Sequence, residues 1–386
     1  MMIPQPLVDE IKSRVRLVDL IRRSVKLLPR GGEFEGLCPF HAERTPSFTV
    51  NETKGFYHCF GCGVHGDAVQ FLIEHRGLDF SDAIRELADI AGVALPGDVR
   101  PQPARPAPMV RPDYAQLQAE AEADDSAALE EAIEILRAAV PARGTLVAVY
   151  LREARGLPMA PPRSLYFAPS LRYFHSWREG KIRHSQRGEW PAMLAPMKDP
   201  DGRLAGLHRT WLARDGSTKA PVKKAKKTLG PCYRRHGAIR LTPAYPDMMI
   251  GEGIETALSG AAPWWSDEAE CPVIAGRPCG VWAAGSLGHL AGRGLGQGEP
   301  HPVQPYPGRI RRLPSVVPDP EHPGIVWPAE CRRITLLEDA DMADPHSGAA
   351  QLDCAVARWS QIERREVLRA RPRPGTDFND MLRGAA

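Results

Sequence analysis

Apolar residues recur at Leu7, Ile11, Val15, Val18 and Ile21, the spacing of one helix face, so the pattern predicts a helix over residues 7–28 that ends at Gly31 and Gly32. The period then shortens to two. Phe48 and Val50, then Phe56, His58 and Phe60, alternate with more polar neighbours, and residues 51–55 supply the turn of a hairpin. Asp67 is placed to cap a helix through Glu74, and Ser81 to cap another to Ala91 with Ile84, Leu87, Ala88 and Ala91 on one side. Six prolines within 96–112 remove regular backbone donors and mark an extended linker. The acidic, alanine-rich stretch 113–140 predicts a helical entry into the next domain. Residues 141–245 read as α+β, with apolar runs at 146–151 and 192–197 and an Asp201-Gly202 turn leading into 204–212. Short apolar strands follow within 246–251 and over 334–337, each ending in acidic residues, as in an open parallel α/β sheet. Nine prolines and six glycines in 291–330 read as a long inserted loop between them. The expected fold is multidomain, α+β and α/β: a ribbon with flanking helices over 1–96, a linker over 97–125, an α+β part over 126–245, and an α/β domain over 246–386 with the insertion at about 291–330.

Composition narrows the function classes only slightly. The 386 residues allow two or three domains, and a formal charge of +3 is too small to argue for nucleic acid by itself. No apolar run approaches the ~18 residues that span a bilayer, and the start lacks the apolar core of a signal peptide, so a cytoplasmic protein with no membrane partner is expected. Cys232, Cys271, Cys279, Cys331 and Cys354 are scattered and odd in number, which reads as reduced thiols.

The other three cysteines carry chemistry. Cys38 and His41, then Cys59 and Cys62, form two pairs with two residues inside each and seventeen between them, the ligand set of one structural tetrahedral zinc. His58 and His65 lie nearby as substitute ligands. Glu252 after one strand, and Asp339 and Asp341 after another, would meet beyond the strands' carboxyl ends, where only a divalent cation relieves their repulsion; oxygen donors favour magnesium or manganese. Asp344 is a further ligand or a loop carboxylate, and Asp377 and Asp380 read equally as helix caps or ligands. Glu255, in the first turn of the helix after Glu252, is expected to face solvent. Arg203, Arg209, Lys219, Lys223, Lys224, Lys226 and Lys227 concentrate positive charge on one strand and the loop after it, which repels itself unless an anion sits there.

Several of these segments resemble known families. The runs CPFH, TPSF, FYHCFGCG and GDAVQFL are similar to the CHC2-type zinc-binding domain of bacterial and phage DNA primases of the DnaG kind, over nearly all of 3–96. The segments GRLAGLHRTWL and TKAPVKKAKKTLG resemble the amino-terminal half of the primase polymerase core. GEGIETALS, EDAD and GTDFND resemble the Toprim domain, in the form carried by phages and mobile elements. Two departures stand out: MADPHSGAA after Asp341 is longer than the usual segment, and Asn379 stands where bacterial primases often carry an acid.

The resemblance implies a DNA primase. The ribbon would dock on single-stranded DNA template, with Phe56 and Tyr57 offered to bases and Phe48 either offered to them or packed in the core. Glu252, Asp339, Asp341 and Asp377 would hold magnesium or manganese, and Arg203, Arg209 and the lysines would hold nucleoside triphosphate or template. A Toprim-type nuclease and a non-catalytic template-binding accessory are the alternatives. No Gly-x4-Gly-Lys-Ser/Thr motif occurs, so any replicative helicase is a separate protein.

Overall fold

The fold is described from a computed structural model. It describes residues 4–30, 33–40, 46, 48–59, 64–96, 114–179, 182–295, 298–303, 312–339, 342, 344–362, 365–373 and 376–384. Gly31, Gly32, Phe60 and the proline-rich linker over 97–113 lie outside them. Two compact units are formed, one by residues 1–124 with 175–185 and the other by 125–174 with 186–386.

In the smaller unit the expected helix over 7–28 is two helices and a strand: α1 (Gln5–Arg14), α2 (Leu17–Arg22) and β1 (Leu27–Arg30). The apolar stripe runs on through the break because Val15 and Arg16 are extended, and the Val18 amide, at the start of α2, donates to Glu52 at 2.9 Å. Strands β2 (Glu33–Gly36), β3 (Phe48–Asn51), β4 (Phe56–Cys59) and β5 (His65–Gly66) complete a five-stranded antiparallel sheet in sequential order. Helix α3 (Ala68–Arg76) starts at Asp67 as expected, whereas α4 (Phe80–Ala91) is capped by Asp79 and not by Ser81. Ile11, Val18, Ile21, Phe48, Tyr57, Phe71, Ile84 and Leu87 meet in one core.

Helix α5 (Tyr114–Arg137) fills the predicted acidic stretch. Strand β6 (Val140–Pro141) follows, and the apolar run at 146–151 is helical: α6 (Leu146–Val149) passes into a wider turn over Tyr150–Ala154. Then come β7 (Tyr166–Glu179), β8 (Ile182–Lys198), β9 (Leu204–Trp211), β10 (Lys226–Leu229) and β11 (Ala238–Arg240). The Asp201-Gly202 turn joins β8 to β9 with Gly202 at φ +84°. Next are β12 (Asp247–Gly251), α7 (Ile254–Ala261), β13 (Trp265–Ser266), β14 (Cys271–Ile274), β15 (Arg277–Ala283) and α8 (Leu287–Ala291). After the insertion stand β16 (Arg333–Leu337), α9 (Pro345–Ser360), β17 (Glu366–Ala370) and α10 (Phe378–Leu382).

These strands form one mixed sheet whose main path is β10-β9-β8-β11-β15-β12-β16-β17. Strands β15, β12, β16 and β17 are parallel neighbours, while β11 pairs antiparallel with β8 on one side and β15 on the other. The expected division at residue 245 therefore falls inside a continuous sheet and a single compact unit. The strands are apolar on both faces, as a covered parallel sheet requires. Met249, Val281 and Leu337 pack with α7 on one face, and Met248, Ile250, Ile334 and Leu336 pack with Leu352 and Trp359 of α9 on the other.

Candidate active site and zinc module

In the smaller unit the sheet register decides where the sulfur atoms go. Gly36 of β2 lies opposite Phe48 of β3, and Phe48 lies opposite Cys59 of β4. Cys38, two residues past β2, and Cys59 therefore reach the same end of the sheet. Both are buried and neither is in a disulfide. The Phe40 backbone N–H donates to Cys38 Sγ at 3.4 Å. Two buried sulfur donors at one end of a hairpin fit the chemistry of structural zinc. His41 and Cys62 lie outside the described residues. His58 and His65 pair across β4 and β5 with rings 6.0 Å apart, and Phe56 stands 6.4 and 6.1 Å from them. Of the three rings expected to meet bases, Phe48 and Tyr57 have no exposed surface and belong to the core; only Phe56 is half-buried on the other side of its strand.

The larger unit brings the acidic segments to one strand edge. Gly251 of β12 is in register with Leu337 of the parallel neighbour β16. Glu252 is one residue beyond the first and Asp339 two beyond the second, so both leave the same edge of the sheet from adjacent strands. Asp341 lies outside the described residues. Helix α7 ties this edge together. Thr256 donates its hydroxyl to Asp339 Oδ1 at 2.7 Å, and Ser259 donates to Asn379 Oδ1 at 2.6 Å. Asp377 caps α10 in a reciprocal box with Asp380. A Cβ on Gly251 would stand 2.9 Å from the Ala257 nitrogen, and one on Gly260 would stand 2.7 Å from Leu337 Cδ1, so these glycines let α7 lie against the sheet. Glu338, beside Asp339, is buried and clamped by Arg369 and by Arg371 at 2.7 Å. Asp344 caps α9 and accepts from His301 Nε2 at 3.1 Å.

Glu255 does not face solvent. It is 5% exposed, and its carboxylate takes Lys226 Nζ at 2.8 Å, Lys219 Nζ at 3.6 Å and the Tyr150 hydroxyl at 2.9 Å. Burial opposes its charge, but the two ammonium groups outweigh burial and hold its carboxyl well below the usual range. Burial also opposes the charge on Lys226, and Glu255 more than offsets it, so that lysine lies above its ordinary value. Lys219 is lowered by burial and by Lys226 beside it. The anion that the lysine cluster demanded is thus partly supplied from within the chain. Arg155 Nε donates to the Tyr150 oxygen at 3.0 Å, and burial together with Glu255 raises the Tyr150 phenol so that it stays a donor.

The other cations are scattered. Lys227 Nζ bonds the Phe174 carbonyl and lies 4.3 Å over the Tyr173 ring. Arg209 donates to the Thr228 carbonyl at 3.1 Å and lies over Trp211. Arg203 pairs with Asp201 at the turn before β9, whereas Lys226 stands opposite Thr210 near the strand's far end. Lys223 and Lys224 are exposed. Reading the sequence alone missed Tyr150, Arg155 and the role of Glu255. The available signal was the set Glu255, Thr256 and Ser259 in a helix otherwise built of small and apolar residues. Elsewhere among the described residues, Asp319, Glu321 and His322 could gather a cation, but Asp319 is already shared between Arg293 at 3.5 Å and His322 at 3.2 Å. No helix among the described residues is long and apolar enough to cross a membrane.

A cysteine-bearing ribbon lies in one unit and an acid-edged mixed α/β sheet in the other. Residues 3–102 match the CHC2 zinc finger family, and residues 126–241 match a domain of unknown function (DUF7146). The chain is similar to the DNA primase of Haemophilus influenzae, with 48% identity over 98 residues, 25% of this chain and 16% of that one. With the DNA primase of Lactococcus lactis subsp. lactis it shares 57% over 88 residues, 23% of this chain and 14% of the other. With that of Escherichia coli K12 it shares 47% over 94 residues, 24% and 16%. Each of these matches thus spans about a sixth or less of the relative's length. The solved structure of the Aquifex aeolicus primase zinc-binding and RNA polymerase domains aligns at a TM-score of 0.32 with 16% identity, covering 98% of this chain and 82% of that one.

Proposed function

We propose that this protein is a DNA primase that makes short primers de novo on single-stranded DNA by metal-dependent nucleotidyl transfer. The observation that carries the reading is the emergence of Glu252 and Asp339 at the ends of adjacent parallel strands, with the lysine pair beside α7, in a chain whose first hundred residues match primase zinc fingers.

In this reading Cys38, His41, Cys59 and Cys62 hold one structural zinc, and the ribbon contacts template through Phe56 and its neighbours. The acid-bearing part acts as a Toprim domain. Glu252, Asp339, Asp341 and Asp377 are all oxygen donors and fit magnesium or manganese, which when bound would neutralise triphosphate charge and activate the attacking hydroxyl. The chain's own groups do the rest. Thr256 fixes the Asp339 carboxylate, the α7 N-terminus favours an anion, and Lys226 and Lys219 attract the triphosphate. Partners are single-stranded DNA and nucleoside triphosphates.

The test is primer synthesis with no primer supplied: single-stranded DNA, labelled ATP or GTP, all four triphosphates, and magnesium or manganese. New oligomers from the wild type that fall at least ~100-fold with Asp339→Ala agree with the proposal. Shortened template without new oligomers would replace it with a nuclease, and template binding with neither product would leave an accessory protein.

A further inference from the structure

Five lysines lie between residues 219 and 227, and two of them, Lys219 and Lys226, pair with Glu255, three residues past Glu252. Lys226 Nζ stands 3.5 Å from where a Cβ on Gly253 would sit, and Glu255 Oε2 stands 3.4 Å from the same point. Gly253 is the residue after Glu252 and the N-cap of the eight-residue helix α7. Lys226 and Lys219 are each about a third exposed at their side chains while the carboxylate that gathers them is 7% exposed. Part of each lysine side chain therefore stays open to solvent, and the anion behind them is hidden. Tyr150 closes the back of the arrangement by donating to Glu255 Oε1, and it is held in turn by Arg155.

We propose that Glu255 is a positioning residue: its buried carboxylate holds Lys226 and Lys219 beside the Glu252-Gly253 turn, so that these two lysines meet the triphosphate of the incoming nucleotide. The inference rests on the primase reading for its substrate and adds what selects two cations from the cluster. A buried carboxylate is costly unless it is paired, and here it is paired from both sides, which fixes two long, flexible side chains in one place before any ligand arrives. Glu255 touches neither substrate nor reacting atoms and acts through the lysines.

The experiment compares Glu255→Gln, Glu255→Asp and Lys226→Met in the full chain. Glutamine matches glutamate in shape but loses the charge; aspartate keeps the charge on a shorter stem. If Glu255 positions the lysines, E255Q raises KM for nucleotide about tenfold or more with kcat changed much less, and E255D stays closer to wild type. K226M raises KM similarly, and adding E255Q to it gives little further loss. A purely packing role predicts the opposite order, with Gln tolerated better than Asp, and that order overturns the proposal. The dissociation constant for ATP with magnesium, measured without template, separates this inference from the primase reading. A wild type that makes no primer sinks that reading, while an ATP affinity equal in wild type, E255Q and K226M sinks this one. If E255Q fails to fold by tryptophan fluorescence, E255D and K226M carry the same comparison.

Discussion

Acidification from pH 7.5 to 5 should weaken the larger unit through two histidines. His208 of β9 and His289 of α8 are buried, and burial lowers each from 6.5 to about 4. Lys226, Arg209 and Lys219 add to the effect at His208 and Glu255 opposes it; at His289 the Gly237 carbonyl, 2.8 Å from Nε2, opposes it and His236 adds to it. An unfolded histidine binds its proton near pH 6.5 but the folded one only near 4, so between those values the unfolded state holds more protons and stability falls as pH falls. At pH 5 each site costs about 2 kcal/mol relative to pH 7.5, about 4 together, a large share of the 5–15 kcal/mol typical of a fold. The slope between pH 5 and 6 should approach ~2.4 kcal/mol per pH unit. Glu255 adds little in this window: its lowered carboxyl contributes stability that is present above the ordinary value of 4.5 and is lost only as pH falls further. Urea unfolding followed by tryptophan fluorescence reads this unit, since seven of the eight tryptophans lie in 186–386 and none before 177. His208→Leu should about halve the slope, whatever it does to stability at pH 7.5. A stability flat to within ~1 kcal/mol across the window, or a slope unmoved by that substitution, would refute the argument.

Two further outcomes are expected. Arg358 is buried on α9 and donates to the carbonyls of Ala291 at 3.2 Å, Asp319 at 2.7 Å and Arg293 at 2.7 Å. Arg358→Leu should cost about 3–5 kcal/mol in urea titration and open the insertion near Asp319 to proteolysis, because three carbonyls lose their donor. Stripping zinc with a chelator, or Cys59→Ser, should abolish the binding of about one zinc equivalent and remove helical circular dichroism of α1–α4, while the tryptophan-detected unfolding free energy of the larger unit stays within ~0.5 kcal/mol of wild type.

What could be read from the sequence was local. The hairpin of β3 and β4, the Asp201-Gly202 turn, the Asp67 cap and the strand over 334–337 all depend on residues within a few positions of one another, although in β4 it is Tyr57 and Cys59 and not Phe56 and His58 that face the core. The break between α1 and α2 was invisible because the apolar stripe continues across Val15, and its stabilising partner, Glu52, comes from a turn 34 residues away. Asp79 and Ser81 are both good caps, and only the backbone at Asp79 decides between them. Glu255 failed for the same reason at longer range. A glutamate in a first helical turn is normally solvated, and what buries it are Tyr150 and Lys226, 105 and 29 residues away. The acid edge was legible as a strand-end pattern, but the part of α7 in organising it through Thr256 and Ser259 was not, since hydroxyls carry no pattern of their own.

Strand β11 has a consequence for anyone building chimaeras from this chain. It lies before residue 245 in sequence, yet Ile239 pairs with both Met197 of β8 and Ala283 of β15. A graft joined at 245 would carry the acid-bearing segment away without the short strand that seals its border, exposing raw backbone on both products. The seam that looks natural on paper runs through the weld, so exchangeable parts must be cut from this molecule with the splice strand kept on both sides of the join.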